Sequence, residues 1–103
     1  MRILIVEDED PAQKRLKKLI SELIPDAEIL DALDSVASTV SWLQTHPMPE
    51  LIFMDIQLSD GRSFDIFKSC KVTAPVIFTT AYDQYAIEDH VKAFNHSFYQ
   101  EGV

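Results

Sequence analysis

Runs of apolar residues mark where strands are expected along this chain. Three runs are almost wholly apolar, and each ends in polar residues: a carboxylate cluster, a single aspartate and a pair of threonines. Such runs, bounded by turn residues, are typical of strands buried on both faces of a parallel sheet. A fourth stretch alternates apolar with acidic residues, as an edge strand does. We therefore predict central strands over residues 2–6, 51–54 and 76–80 and an edge strand over 27–32.

Between these runs, apolar residues recur at the spacing of amphipathic helices. Asp10 is expected to cap the first helix, with Pro11 at its first position and Gln13 at the spacing of a capping box. The second helix is expected to be capped by Asp34 or Ser35. The first two predicted helices extend from Pro11 to about Ile24 and from the second cap to His46-Pro47. A short third helix follows Gly61 and ends at Cys70, and a fourth follows residues 82–87 and ends at about Lys92.

Strict alternation of strands and helices with short connections implies a parallel α/β sheet with right-handed crossovers. The expected fold is a doubly wound, flavodoxin-like sheet of strand order 2-1-3-4-5. A fifth strand over residues 94–99 is only weakly indicated, and no residues remain for a fifth helix. The 103 residues are expected to form one domain.

Composition narrows the class of protein. The net charge of −8, from nine basic and seventeen acidic residues, argues against direct nucleic acid binding by this segment. No apolar run approaches the roughly 20 residues of a membrane span, and Met1 leads into a strand without room for a signal peptide. A lone Cys70 allows no internal disulfide, which suits a reducing compartment. We expect a cytoplasmic protein that does not enter membranes.

The carboxylates that follow two of the strands suggest chemistry. Asp55 alone could simply open a turn. In the expected strand order, however, strands one and three are neighbours, so Glu7 and Asp8 should meet Asp55 where the order reverses. Three close carboxylates raise one another's pKa unless a cation neutralises them, and hard oxygen ligands favour Mg²⁺. Asp55 is then the type of carboxylate that forms an aspartyl phosphate, with Thr79 or Thr80 beside it.

Three motifs in this order resemble the receiver domain of two-component response regulators. Arg-Ile-Leu-Ile-Val-Glu-Asp-Glu at residues 2–9 is similar to the first strand and acidic pair of that family. Met-Asp-Ile-Gln-Leu-Ser-Asp-Gly at 54–61 resembles its phosphoacceptor loop, and Phe-Thr-Thr-Ala at 78–81 resembles its switch-hydroxyl strand. The run Thr-Ala-Tyr-Asp-Gln-Tyr-Ala-Ile at 80–87 is similar to receivers of the LytTR (LytR/AlgR-like) subgroup, which precede a DNA-binding domain.

The resemblance implies a role for each matching residue. Asp55 would accept a phosphoryl group from a histidine kinase, and Thr80, rather than Thr79, would be the switch hydroxyl. Glu7, Asp8, Asp55 and the backbone carbonyl of Gln57 would hold Mg²⁺. The domain would catalyse its own phosphorylation and dephosphorylation without being a conventional enzyme. It would act in phosphorelay signal transduction and transcription regulation by switching interactions of a partner or an output domain.

The chain departs from the family after about residue 88. The family has a Lys-Pro pair at the end of the fifth strand, and counting from Thr80 places Gln100 at the lysine position. Lys92 lies on the preceding predicted helix and is not followed by proline. We interpret the tail as truncated, frame-altered or divergent. Without the ammonium group, coupling between phosphorylation and Thr80 is expected to be weak.

The missing fifth helix also bears on assembly. It should leave one face of strands three and four uncovered, together with part of the stripe Leu16, Ile20 and Leu23. Exposed apolar patches of this kind are usually buried by association, which favours a homodimer.

Three alternative functions remain open from the sequence. An aspartyl-phosphate hydrolase would need a second acid two residues after Asp55, where this chain has Gln57. A flavodoxin-like flavin binder needs a phosphate loop after strand one, and four consecutive carboxylates would repel phosphate. A degenerate receiver could instead serve as an interaction module that does not depend on phosphorylation.

Overall fold

The computed structural model describes residues 1–79, in which a parallel sheet lies between helices. Its strands are formed by apolar runs, and its helices by the amphipathic segments between them. The elements are β1 (Arg2–Val6), α1 (Asp10–Leu23), β2 (Glu28–Leu33), α2 (Val36–Thr45), β3 (Leu51–Met54), β4 (Gln57–Leu58), β5 (Gly61–Arg62), α3 (Phe64–Ser69) and β6 (Val76–Phe78).

The main sheet has the order β2-β1-β3-β6, and all its pairs are parallel. β6 corresponds to the strand predicted over residues 76–80, so this order confirms the doubly wound α/β fold and the predicted order of the first four strands. β2 lies at one edge of the described sheet, as predicted, and its Glu28 and Asp31 are exposed. The predicted fifth strand over residues 94–99 and the helix ending near Lys92 lie outside the described residues.

Two apolar clusters cover the two faces of the sheet. On one face α1 packs against Ile3, Ile5 and Phe53, and on the other face α2 and α3 pack against Leu4 and Ile52. Helices on opposite faces follow from right-handed crossovers in a sheet whose order reverses after β1. Within the described residues, no helix is both long and apolar enough to cross a membrane.

One prediction about this packing is wrong. Leu16 and Ile20 were expected to be partly uncovered, yet they are 2% and 0% exposed, and Leu23 is half-buried. They belong to the cluster on the face of the sheet that α1 covers, which also includes Phe53 and Ile77. The burial of Leu16, Ile20, Phe53 and Ile77 therefore removes the observation that supported a homodimer, which itself stays a prediction.

The start of α1 also differs from the sequence prediction. Asp10 is the first helical residue rather than the cap, and Glu9 is the N-cap, without a side-chain capping hydrogen bond. Gln13 does not complete a capping box, because its side-chain amide donates a hydrogen bond to the backbone carbonyl of Glu7. This bond ties the first turn of α1 to the residue that follows β1.

The segment after β3 contains a small hairpin that the sequence analysis treated only as a turn. β4 and β5 are antiparallel, with Gln57 opposite Arg62 and Leu58 opposite Gly61. Leu58 is 3% exposed and belongs to the cluster under α2 and α3. Burial of this one side chain explains why the loop after Asp55 folds back as an ordered hairpin.

Candidate functional site

Three carboxylates meet where β1 and β3 end. Val6 is opposite Met54 in the parallel register, so Glu7 and Asp8 leave β1 beside the point where Asp55 leaves β3. The backbone N–H of Asp55 donates to the carbonyl of Val6 at 2.9 Å and fixes this juxtaposition. One carboxylate oxygen from each of the three side chains lies within 4.8 Å of the others. The structure therefore brings together the acidic residues on which the sequence analysis based its site.

The electrostatics of this cluster centre on Glu7, which is only 8% exposed. Burial raises the pKa of Glu7 to about 7, and a hydrogen bond with Asp8 and the negative charge of Asp55 act in the same direction. The backbone N–H of Asp8 donates to Glu7 Oε2 at 2.9 Å, which keeps this carboxyl turned towards its neighbour. Near neutral pH the corner thus holds unfavourable negative charge that a cation would relieve.

The donor set fits a small divalent cation. All three groups offer oxygen, and Asp8 and Asp55 are half-buried, so a ligand can reach them from solvent. In an octahedral Mg²⁺ shell the widest separation between ligand oxygens is about 4.2 Å, twice the usual bond length. The largest separation here is within 4.8 Å, so small side-chain rotations would bring the oxygens to that spacing. Water would complete the remaining positions.

The other residues named from the sequence lie in different places. The backbone N–H of Gln57 lies 3.4 Å from Asp55 Oδ1, while the role of its carbonyl as a metal ligand stays a prediction. Thr79 is beside Met54, whose carbonyl accepts its N–H at 2.9 Å, but its hydroxyl is buried and has no hydrogen-bond partner among residues 1–79. Thr80, Lys92 and Gln100 lie outside the described residues.

Asp60 is a residue near the site that the sequence analysis did not single out. Its carboxylate accepts hydrogen bonds from the backbone N–H groups of Val36 and Ala37, at the start of α2, at 2.7 and 3.0 Å. The available signal was the Ser-Asp-Gly turn, which indicates local structure only. A contact across more than twenty residues leaves no pattern in the sequence.

The chain is similar to a known protein family and to curated proteins. A family model described as the response regulator receiver domain matches residues 3–99. The sensory transduction protein LytT of Bacillus anthracis is 37% identical over 91 residues, covering 85% of this chain and 36% of that protein. LytT of Enterococcus faecalis is 36% identical over 91 residues, again covering 85% of this chain and 37% of that protein. The chain spans little more than a third of the length of these relatives.

The fold has relatives among solved structures as well. The MaeR response regulator bound to beryllium trifluoride superposes with a TM-score of 0.69 at 27% sequence identity. The superposition covers 81% of this chain and 69% of the MaeR chain.

Proposed function

The chain belongs to the response regulator receiver domain family, and on that basis we propose that it is a phosphorylation-controlled signalling domain with Asp55 as its phosphoacceptor. The observation that carries this proposal is the convergence of Glu7, Asp8 and Asp55, whose oxygens lie within 4.8 Å at the ends of two neighbouring strands. A buried strand that delivers a carboxylate next to an acidic pair suits acceptance of a phosphoryl group by that carboxylate.

We propose that Glu7, Asp8, Asp55 and the carbonyl of Gln57 hold Mg²⁺. The bound ion would neutralise charge on the phosphoryl oxygens during transfer. Asp55 is the nucleophile: one carboxylate oxygen forms a bond to phosphorus while the bond from phosphorus to the donor's imidazole nitrogen breaks. The electron pair of the broken bond stays on that nitrogen: the imidazole leaves as the neutral base if its other ring nitrogen carries a proton, and otherwise takes one proton from solvent to become neutral. Glu7 and Asp8 position the site and do not react.

We propose partners that are typical of the family and of the relatives. The phosphoryl donor is a histidine kinase, and a LytTR-type DNA-binding domain is the output in a longer protein. Thr80 is the switch hydroxyl that would register the phosphoryl group. Self-association through the α1 stripe has lost its structural support, because Leu16 and Ile20 are buried.

Phosphorylation by a small donor tests the acceptor. Acetyl phosphate with Mg²⁺ should add one phosphoryl group, detected by intact mass, and Asp55→Asn should abolish the addition. Asp34→Asn, which changes an aspartate outside the carboxylate cluster, should be labelled like the wild type. A wild-type chain that is never labelled would favour the alternative of an interaction module that does not depend on phosphorylation.

Thermal stability tests the metal ligands. A receiver that binds Mg²⁺ with a dissociation constant of about 1 mM would gain about 1.4 kcal/mol at roughly 10 mM ion. The double variant Glu7→Gln with Asp8→Asn should lose this gain, because two of the three carboxylates no longer supply charge. An equal Mg²⁺-dependent rise of the melting temperature in the double variant would contradict the assignment.

A further inference from the structure

The loop that follows Asp55 is bonded to the start of α2 through one exposed side chain. Both carboxylate oxygens of Asp60 are used: Oδ1 accepts from the N–H of Val36 at 2.7 Å and Oδ2 from the N–H of Ala37 at 3.0 Å. The two partners precede Asp60 by 24 and 23 residues. The contact therefore joins two elements that are distant in sequence.

The first turn of α2 obtains two of its hydrogen-bond acceptors from this contact. The initial N–H groups of a helix have no partners within it and need acceptors from elsewhere. Ser35 supplies its hydroxyl to the N–H of Ser38 at 3.0 Å. Asp60 supplies the acceptors for Val36 and Ala37, so the first three N–H groups of α2 are all bonded. These bonds hold the pKa of Asp60 below its usual range, which keeps the side chain ionised beside the positive end of the helix dipole.

The same residue is linked to the carboxylate cluster through the hairpin that follows Asp55. Asp60 lies in the turn between β4 and β5, and Leu58 anchors that hairpin in the core at 3% exposure. At the base of the hairpin the N–H of Ser63 donates to the carbonyl of Ile56 at 2.8 Å. The segment between Asp55 and Asp60 is thus held at three points: the buried Leu58, the hydrogen bond between Ser63 and Ile56, and the hydrogen bonds between Asp60 and α2.

We propose that Asp60 is a positioning residue that holds the Asp55–Gln57 segment in register with Glu7 and Asp8 by bonding it to α2. This inference rests on the proposed function, because it concerns the same phosphoacceptor site. It has a reciprocal consequence: if the start of α2 stabilises the geometry that binds Mg²⁺, then Mg²⁺ must stabilise the start of α2 by the same factor. Asp60 itself is not a ligand.

Metal dependence of labelling provides the first test. Asp60→Ala removes both acceptor oxygens, whereas Asp60→Asn removes the charge and keeps one of them. We expect Asp60→Ala to raise the Mg²⁺ concentration for half-maximal labelling by acetyl phosphate about tenfold, near the lower end of the loss seen when an outer partner of a metal site is removed. Asp60→Asn should lie between Asp60→Ala and the wild type. If only the lost charge mattered, Asp60→Ala and Asp60→Asn would raise the half-maximal Mg²⁺ concentration equally, which would contradict the role of the hydrogen bonds.

A matched control separates this role from a general effect of charge. Asp31 is also an exposed aspartate that accepts a backbone hydrogen bond, but its partner is the adjacent Ala32 at 2.8 Å. Asp31→Asn should leave the half-maximal Mg²⁺ concentration unchanged. All variants are compared well below their melting temperatures, so that a loss of stability does not alter the folded fraction.

Amide hydrogen exchange supplies a readout that does not depend on phosphorylation. Mg²⁺ should slow exchange at the N–H groups of Val36 and Ala37 in the wild type and in Asp31→Asn, but not in Asp60→Ala. Identical Mg²⁺ dependence of labelling and exchange in Asp60→Ala and the wild type would overturn the inference while leaving the proposed function intact. A wild-type chain that neither labels nor responds to Mg²⁺ would overturn both.

Discussion

At the scale of single residues, Glu7 stands out among the described carboxyl groups because burial raises its pKa. Its carboxyl is nearly buried and shares a corner with two other carboxylates, so its ionised form is disfavoured. Such a cost is hard to explain as a stabilising feature of the fold. It is consistent with a site that is complete only when a cation is bound.

The raised pKa of Glu7 predicts how the metal-free protein responds to pH. Folding moves this pKa from its ordinary value of 4.5 to about 7, so between these values the folded state binds more protons than the unfolded state. The contribution of Glu7 to stability is therefore fully present below pH 4.5 and is lost as the pH rises through 7. Urea denaturation with a chelator present should show that Glu7→Gln removes this part of the pH dependence.

The control is a glutamate on the surface of α1. Glu22 is exposed, and Glu22→Gln should retain the pH dependence of the wild type. Equal slopes of stability against pH in the wild type and Glu7→Gln would show that the carboxyl is not strained in the folded protein.

A pair of buried threonines allows a second prediction. Thr79 is 6% exposed, and its hydroxyl has no hydrogen-bond partner in the part of the chain that the structure describes. Thr39 is 0% exposed and donates its hydroxyl to the carbonyl of Ser35 at 2.7 Å. Leaving a buried hydroxyl unpaired costs about 1–3 kcal/mol, so Thr79→Val should be neutral or stabilising. Thr39→Val loses a bond and should destabilise by about 1 kcal/mol.

Chemical denaturation measures both substitutions. A clear loss of stability in Thr79→Val would show that the hydroxyl has a partner in solution. The same variant bears on the switch: phosphorylation-dependent changes should survive in it if Thr80 is the switch hydroxyl.

At the scale of elements, the strands and helices were largely predictable because local patterns determine them. The apolar runs of β1 and β3 are local features and occur where they were expected. The cap of α2 is Ser35, one of the two candidates predicted. The predicted cap of α1 was wrong by one residue: Asp10 has the stronger local preference for an N-cap, but the helix begins at Asp10, so Glu9 takes the cap position without a side-chain hydrogen bond. The β4–β5 hairpin and its bond to α2 were missed because they depend on tertiary contacts.

A substitution at Gly61 tests the conformation of the β4–β5 hairpin. The φ of Gly61, +150°, is a conformation that side chains disfavour, and an added Cβ would lie 3.2 Å from Asp65 Oδ2. Gly61→Ala should therefore destabilise the protein by more than about 1 kcal/mol in urea denaturation. Adding Asp65→Ala removes the contact but not the backbone strain, so the double variant should recover only part of the loss. Complete recovery would assign the cost to the contact alone.

At the scale of the whole molecule, the burial of α1 distinguishes a core helix from an interface. Ile20 is 0% exposed in a cluster with Ile3 and Ile5. Ile20→Asp places an unpaired charge in that cluster and should cost at least about 3 kcal/mol, which is enough to unfold much of a small domain. Circular dichroism should therefore show loss of structure. Lys17→Asp, on the exposed side of the same helix, should remain folded.

The opposite result would restore the predicted homodimer. If light scattering showed that the wild type associates and that Ile20→Asp is a well-folded monomer, the α1 stripe would be an interface in solution. Because Ile20 is buried within one chain, we predict that Ile20→Asp is not a well-folded monomer.

The strand order also governs when the protein can fold. β1 pairs on one side with β2 and on the other with β3, whose first paired residue, Leu51, lies 48 positions after Ile3. During synthesis the almost wholly apolar first strand therefore leaves the ribosome before its second neighbour does. Until Met54 has also emerged, that strand has an unpaired edge, the type of surface that leads nascent chains to aggregate. Chaperones that shield apolar segments should thus be needed most between the emergence of Val6 and the emergence of Met54.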